Sequence, residues 1–174
     1  MARTEGEMGA VETDETDRPI RLIVVGIDGS DGSALAVRWA ARVAGATGAE
    51  VVAVHALGSQ PFTHGFPFVG ATAYDDWQVA WKEWREQMLE IMETSWCRPL
   101  AEEGVAFRVE AVDGGPEALI ERANSMHADM LVVGRRGRGG FAELVLGSFS
   151  HQLVHHAEQP VVVVPNDRSE GGAG

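Results

Sequence analysis

The sequence predicts an α/β fold: a five-stranded open parallel sheet with helices on both faces. Three observations predict it. Five short, β-branched apolar runs recur along the 174 residues, and segments with helical spacing lie between them. Glycine-rich loops directly follow two of the runs, as they do where a strand hands over to a helix beside a ligand.

The elements follow in order. Residues 20–26 (IRLIVVG) are continuously apolar apart from Arg21, which suits a parallel strand covered on both faces. The loop Asp28-Gly29-Ser30-Asp31-Gly32 comes next, with Ser30 or Asp31 able to cap a helix over residues 33–46. Gly45 and Gly48 help to stop that helix. Residues 50–57 (EVVAVHAL) form a second buried strand, and 105–112 a third, alternating one. A short helix over 116–127 has Pro116 in its first turn. The fourth strand is 129–134, a helix follows over 146–156, and Val161–Val164 is the fifth strand, bracketed by Pro160 and Pro165.

Between the second and third strands lies an aromatic segment. Residues 58–72 carry Pro61, Pro67 and three phenylalanines, and read as a loop with apolar content, either a lid or a surface loop. Then Trp77, Trp81, Trp84, Met88 and Ile91 recur at steps of 4, 3, 4 and 3, the pattern of a helix with one apolar stripe. Core packing is favoured over a partner-binding groove for that stripe. Pro99 is expected to kink or end the helix near Arg98.

Composition sets limits. A 45% hydrophobic content indicates a globular domain, and a net charge of −12 argues against nucleic acid as a partner. Residues 1–19 set six carboxylates against Arg3 and Arg18 with little to bury, and are expected to be a disordered acidic tail. Residues 166–174 are expected to be disordered too, leaving one domain over 20–165. The lone Cys97 excludes an internal disulfide and suits a reducing compartment, so a cytoplasmic location is expected. No apolar stretch reaches membrane-spanning length.

Two glycine loops compete as ligand sites. In the first, Gly26, Gly29 and Gly32 are spaced by three and three, which rules out a standard dinucleotide fingerprint. A P-loop also fails, because Lys82 is the only lysine. Asp28 can accept from a ribose hydroxyl or approach a metal ion, or it can be a turn residue bonding nearby amides. The second loop, Gly134-Arg135-Arg136-Gly137-Arg138-Gly139-Gly140, follows a buried strand and leads to Gly147-Ser148. Its bare backbone can cradle phosphate oxygens. The three arginines either screen phosphate charge or are solvated loop residues.

The pattern Gly134-x-x-Gly137, nine residues, Gly147-Ser148 resembles the universal stress protein family of the ATP-binding type. Phe141, Leu146 and the run 160–165 (PVVVVP) match as well, as do residues 24–30 (VVGIDGS) and 54–56 (VHA). The resemblance spans about residues 20–165. It implies a Rossmann-like or flavodoxin-like, adenine nucleotide alpha hydrolase-like fold that holds ATP or another adenine nucleotide. Asp28 would lie near ribose or a Mg2+ or Mn2+ ion, and Ala56 would offer backbone to adenine. Gly134 and Gly137 would wrap ribose and phosphates, while Gly147, Ser148 and Ser150 would donate to phosphate oxygens. The residues expected to border the ligand also include Gly26, Ile27, Arg135, Arg136, Arg138, Gly139, Gly140 and Phe149. A homodimer through the edge strand Val161–Val164 follows the same resemblance.

The remaining candidates are weaker. His151 and His155 share a helix face at i, i+4, but a solvent-facing pair is favoured over zinc. His55 is expected to be a hydrogen-bonded core histidine, and Cys97 has no adjacent base. With no triad or poised carboxylate pair, the expected role is a nucleotide-binding stress or regulatory module, with at most weak ATP hydrolysis. The alternative is a dimeric interaction protein with a vestigial pocket; an adenylating or phosphotransfer enzyme has least support.

Overall fold

The computed structural model describes residues 18–58, 72–137 and 146–166, with the backbone alone for 72–78. The tails, the phenylalanine loop, the Trp77 side chain, Phe141 and the site candidates Arg138, Gly139 and Gly140 lie outside the described residues.

Five strands, β1 (Leu22–Gly26), β2 (Glu50–Ala56), β3 (Phe107–Val112), β4 (Met130–Gly134) and β5 (Val161–Val164), form one sheet in the order β3-β2-β1-β4-β5. Every pairing is parallel. The helices are α1 (Asp31–Thr47), α2 (Thr72–Ile91), α3 (Arg98–Glu102), α4 (Pro116–Ser125) and α5 (Ser148–His156).

Each strand alternates its side chains between two cores, as a sheet covered on both faces must. Ile23 and Val25 pack with Ala36, Val37, Ala40 and Ala44 of α1 and with Leu100 of α3. Val24, Val52 and Leu131 pack on the other face with Leu119 and Ala123 of α4 and Leu153 of α5. Alanines along the inner face of α1 let it lie close to the strands.

Helix α1 starts two residues earlier than the spacing predicts. The hydroxyl of Ser30 accepts from Ser33 N–H at 3.2 Å, which satisfies an otherwise unpaired amide and fixes the first turn. Gly48 closes the helix at φ 74, donating its N–H to the Ala44 carbonyl.

The aromatic helix departs from expectation twice. Its regular part ends at Ile91 and continues as a π-helical stretch, Met92–Trp96. Cys97 then breaks the rod, and Pro99 stands in the first turn of α3, where its missing N–H leaves no bond unmade. The aromatic helix thus ends just before Arg98, as expected. The whole stripe is not core, however. Met88 packs on the α1-side core, but Trp84 is 39% exposed and Ile91 46%. Helix α2 meets the sheet at β3, an edge strand. Trp81 and Trp84 stack on each other, with centroids 4.8 Å apart.

Candidate functional site

Strand order reverses between β1 and β4, because β2 and β3 extend the sheet one way from β1 while β4 and β5 extend it the other. The carboxyl ends of β1 and β4 must diverge there into loops on opposite faces, which leaves a crevice. A cavity of about 340 Å3 lies at that point. That volume is within the usual range for small-molecule sites.

The β1 side supplies Gly26, Ile27 and Asp28 to the cavity. Gly26 must lack a side chain, since a Cβ would come within 2.9 Å of Val133 Cγ1. Ile27 is buried and donates its N–H to the Val54 carbonyl at 2.9 Å. Asp28 Oδ1 accepts from Ser30 N–H at 3.0 Å and from Ser30 Oγ–H at 2.6 Å. That is the turn-residue role, and it leaves Oδ2 on the side of Gly137: a Cβ on Gly137 would overlap that oxygen. The structure thus shows Asp28 as a turn residue that also lines the cavity.

On the β4 side, backbone packs directly on backbone. A Cβ on Gly134 would overlap the carbonyl of Gly32, and a Cβ on Gly32 would overlap the carbonyl of Arg136. Only glycine at both places lets the first turn of α1 press against the loop after β4. Arg136 and Gly137 line the cavity with Gly134. Arg135 does not; it holds the loop through its backbone. Its N–H donates to the Val164 carbonyl at 2.8 Å, and its carbonyl accepts from Gly147 N–H at 2.9 Å.

Helix α5 points its amino end into the same cavity through Gly147, Ser148, Phe149 and Ser150. Gly147 is the N-cap, and the first intrahelical bond runs from His151 N–H to the Gly147 carbonyl at 2.9 Å. The amides of Ser148, Phe149 and Ser150 therefore have no carbonyl one turn back inside the helix, and the dipole adds partial positive charge there. Ser148 is exposed at the first helical position rather than at the cap, so capping does not account for its hydroxyl. Ser150 differs from expectation. Its buried hydroxyl lies 2.9 Å from the Arg135 carbonyl and 3.0 Å from the Gly147 carbonyl. That hydroxyl ties α5 to the β4 loop, and the cavity is offered the Ser150 amide instead.

Ala56 lines the cavity from the end of β2, alongside three residues that the sequence did not mark for the site: Val54, His55 and, from β4, Val133. Ser33, in the first turn of α1, is a fourth. Their adjacency to Ala56, Gly134 and the first glycine loop was the available signal.

Other candidates lie elsewhere. Cys97 is fully buried, and burial first, then the Glu93 carboxylate, push its thiol up to about 12, so it stays protonated. His151 and His155 are exposed on α5 with rings 4.4 Å apart. Among the described residues, no group of three or more His, Cys, Asp or Glu side chains could hold a metal ion. Glu110 on β3 has its carboxyl held below the usual range by hydrogen bonds from Arg122 and Arg108, an ion-pair cluster that lies outside the cavity lining.

Comparison with known proteins places this geometry. The sequence profile of the Universal stress protein family matches residues 19–165. Universal stress protein MJ0531 of Methanocaldococcus jannaschii is 31% identical over 152 residues, covering 86% of this chain and 85% of the relative. The solved structure of protein MJ0577 superposes with a TM-score of 0.72 at 18% identity, covering 87% of this chain and 100% of that one, a likeness of fold. A universal stress protein crystallised in complex with cAMP matches with a TM-score of 0.59 at 25% identity, covering 84% of this chain and 98% of that one. The sheet order, the site at its switch point and the match across nearly all of the described residues agree: this chain belongs to the universal stress protein family.

Proposed function

We propose that the chain binds an adenine nucleotide, ATP, in the switch-point cavity and serves as a stress-response or regulatory module. The observation that carries this reading is convergence. Backbone at Gly134 and Gly137, the open amides of Ser148 to Ser150, and Asp28 all border one cavity of about 340 Å3. Amides at a helix start and a glycine turn suit phosphate oxygens. Apolar Ile27, Val54 and Ala56 beside it suit a flat base. The neighbour crystallised with cAMP supports an adenine ligand.

The residues present fit a nucleotide better than a protein-held metal. Among the described residues Asp28 is the one carboxylate lining the cavity, and one of its oxygens already serves Ser30. A Mg2+ or Mn2+ ion would arrive on the phosphates, neutralising their charge, with Asp28 beside it. Hydrolysis in this reading is at most weak. Isothermal titration with ATP and Mg2+ tests the proposal: saturable one-site binding supports it, and silence on folded protein overturns it.

Two further parts of the proposal concern context. β5 is an edge strand with Val161, Val162 and Val163 only half-buried, which supports a homodimer that pairs this edge with a second copy. Sedimentation showing monomer alone at micromolar protein would remove that part. The unpaired Cys97 supports a reducing, cytoplasmic setting. Among the described residues, no helix is long and apolar enough to cross a membrane.

A further inference from the structure

At its carboxyl end β2 leaves β1. The Ile27 N–H still bonds the Val54 carbonyl at 2.9 Å, but the β1–β2 register ends at Gly26 and Val54. Ala56 N–H, the next donor facing β1, makes no bond to the Ile27 carbonyl. Meanwhile β2 stays paired with β3 through Ala56 and Val112 and through Leu57 N–H to the Val112 carbonyl at 2.9 Å. Gly58 and Gly114 continue that β3-side pairing. The Ile27 carbonyl thus loses the backbone donor a longer β1–β2 ladder would have supplied. The His55 side chain takes its place, with Nδ1 2.6 Å from that carbonyl oxygen. A carbonyl only accepts, so Nδ1 carries the proton. The ring is steadied from the side by Trp96, edge-on with centroids 5.5 Å apart. His55 also lines the cavity.

We infer that His55 is a positioning residue for the ligand site: its Nδ1–H clamps the Ile27 carbonyl, and so sets where Asp28 stands while β2 swings away to open the crevice. Ile27 is then held on both sides, N–H by Val54 and C=O by His55. This rests on the nucleotide reading of the cavity and adds to it a named side chain that makes the β1 loop rigid before ligand arrives.

The full-length protein tests this with three variants. His55→Asn keeps an N–H near the Nδ1 position, His55→Phe keeps the ring against Trp96 without the donor, and His55→Ala removes both. ATP affinity with Mg2+ is expected to fall roughly five- to tenfold in His55→Phe and His55→Ala, and to stay within about twofold of wild type in His55→Asn. Amide exchange of Ile27, followed by NMR without nucleotide, is expected to speed up in the first two and to recover in the third. If wild type does not bind ATP, the nucleotide reading is lost and the exchange data alone decide the role of His55. Unchanged Ile27 exchange in His55→Phe, or an Asn variant no better than Phe, overturns the inference.

Discussion

Gly137 and Asp28 meet across the crevice. Oδ2 of Asp28 occupies the space that a Cβ on residue 137 would need, so the loop after β4 can close over the loop after β1 only because residue 137 is glycine. Gly137 is itself exposed and outside the apolar cores. Gly137→Val is therefore expected to weaken ATP binding more than about tenfold, by displacing Asp28 or the loop, while the melting temperature changes little. Titration calorimetry and a thermal melt check both halves; an unaltered affinity would show that the two loops do not share a ligand.

The two serines of α5 separate function from stability. Ser148 is exposed at the helix start, so Ser148→Ala is expected to cost several-fold in nucleotide affinity and nothing measurable in stability. Ser150→Ala removes the hydroxyl that joins Arg135 and Gly147 and is expected to destabilise by about 1 kcal/mol. Urea unfolding beside nucleotide titration distinguishes the two; equal effects from both would contradict these assignments.

Stability near acid pH should depend on Glu110. Hydrogen bonds from Arg122 and Arg108 lower its folded pKa below the unfolded value. A depressed carboxylate contributes stability that is present above the unfolded value, about 4.3, and lost as pH falls through the folded value. Wild type is therefore expected to lose stability below about pH 4.3 more steeply than Glu110→Gln. Melting temperatures between roughly pH 3 and 7 follow this, and parallel curves would assign the cluster no net effect.

Cys97 should be chemically silent in the native state. Its side chain is fully buried and its thiol is raised to about 12. An aromatic disulfide reagent at pH 8 is expected to react only at the rate of unfolding, and fully in denaturant. Rapid native labelling would mean that the α2–α3 junction opens far more easily than its packing implies.

Much of this was legible in the sequence because it is local. Runs such as LIVVG and MLVVG mark parallel strands whatever surrounds them, and Gly134, Gly137 and Gly147 carry their conformational meaning in their spacing. Three features depend on distant geometry and were not legible. The tryptophan stripe has helical spacing whether or not a wide sheet lies beneath it, and α2 meets the sheet at the edge strand β3. The Ser150 hydroxyl has two carbonyls in reach only once the β4 loop is folded beside α5. A hydrogen bond at His55 was expected, but its partner, the Ile27 carbonyl, depends on where the β1–β2 register ends, which no local pattern encodes.

An adenine nucleotide in the crevice between the ends of β1 and β4 should leave a mark on the amides around it. Backbone NMR of the full chain during an ATP and Mg2+ titration tests it most directly. Saturable shifts are expected at the amides of Asp28, Gly137 and Ser148 through Ser150, with those of α3 unmoved. Saturable shifts elsewhere, or none at these five residues, would contradict that occupancy.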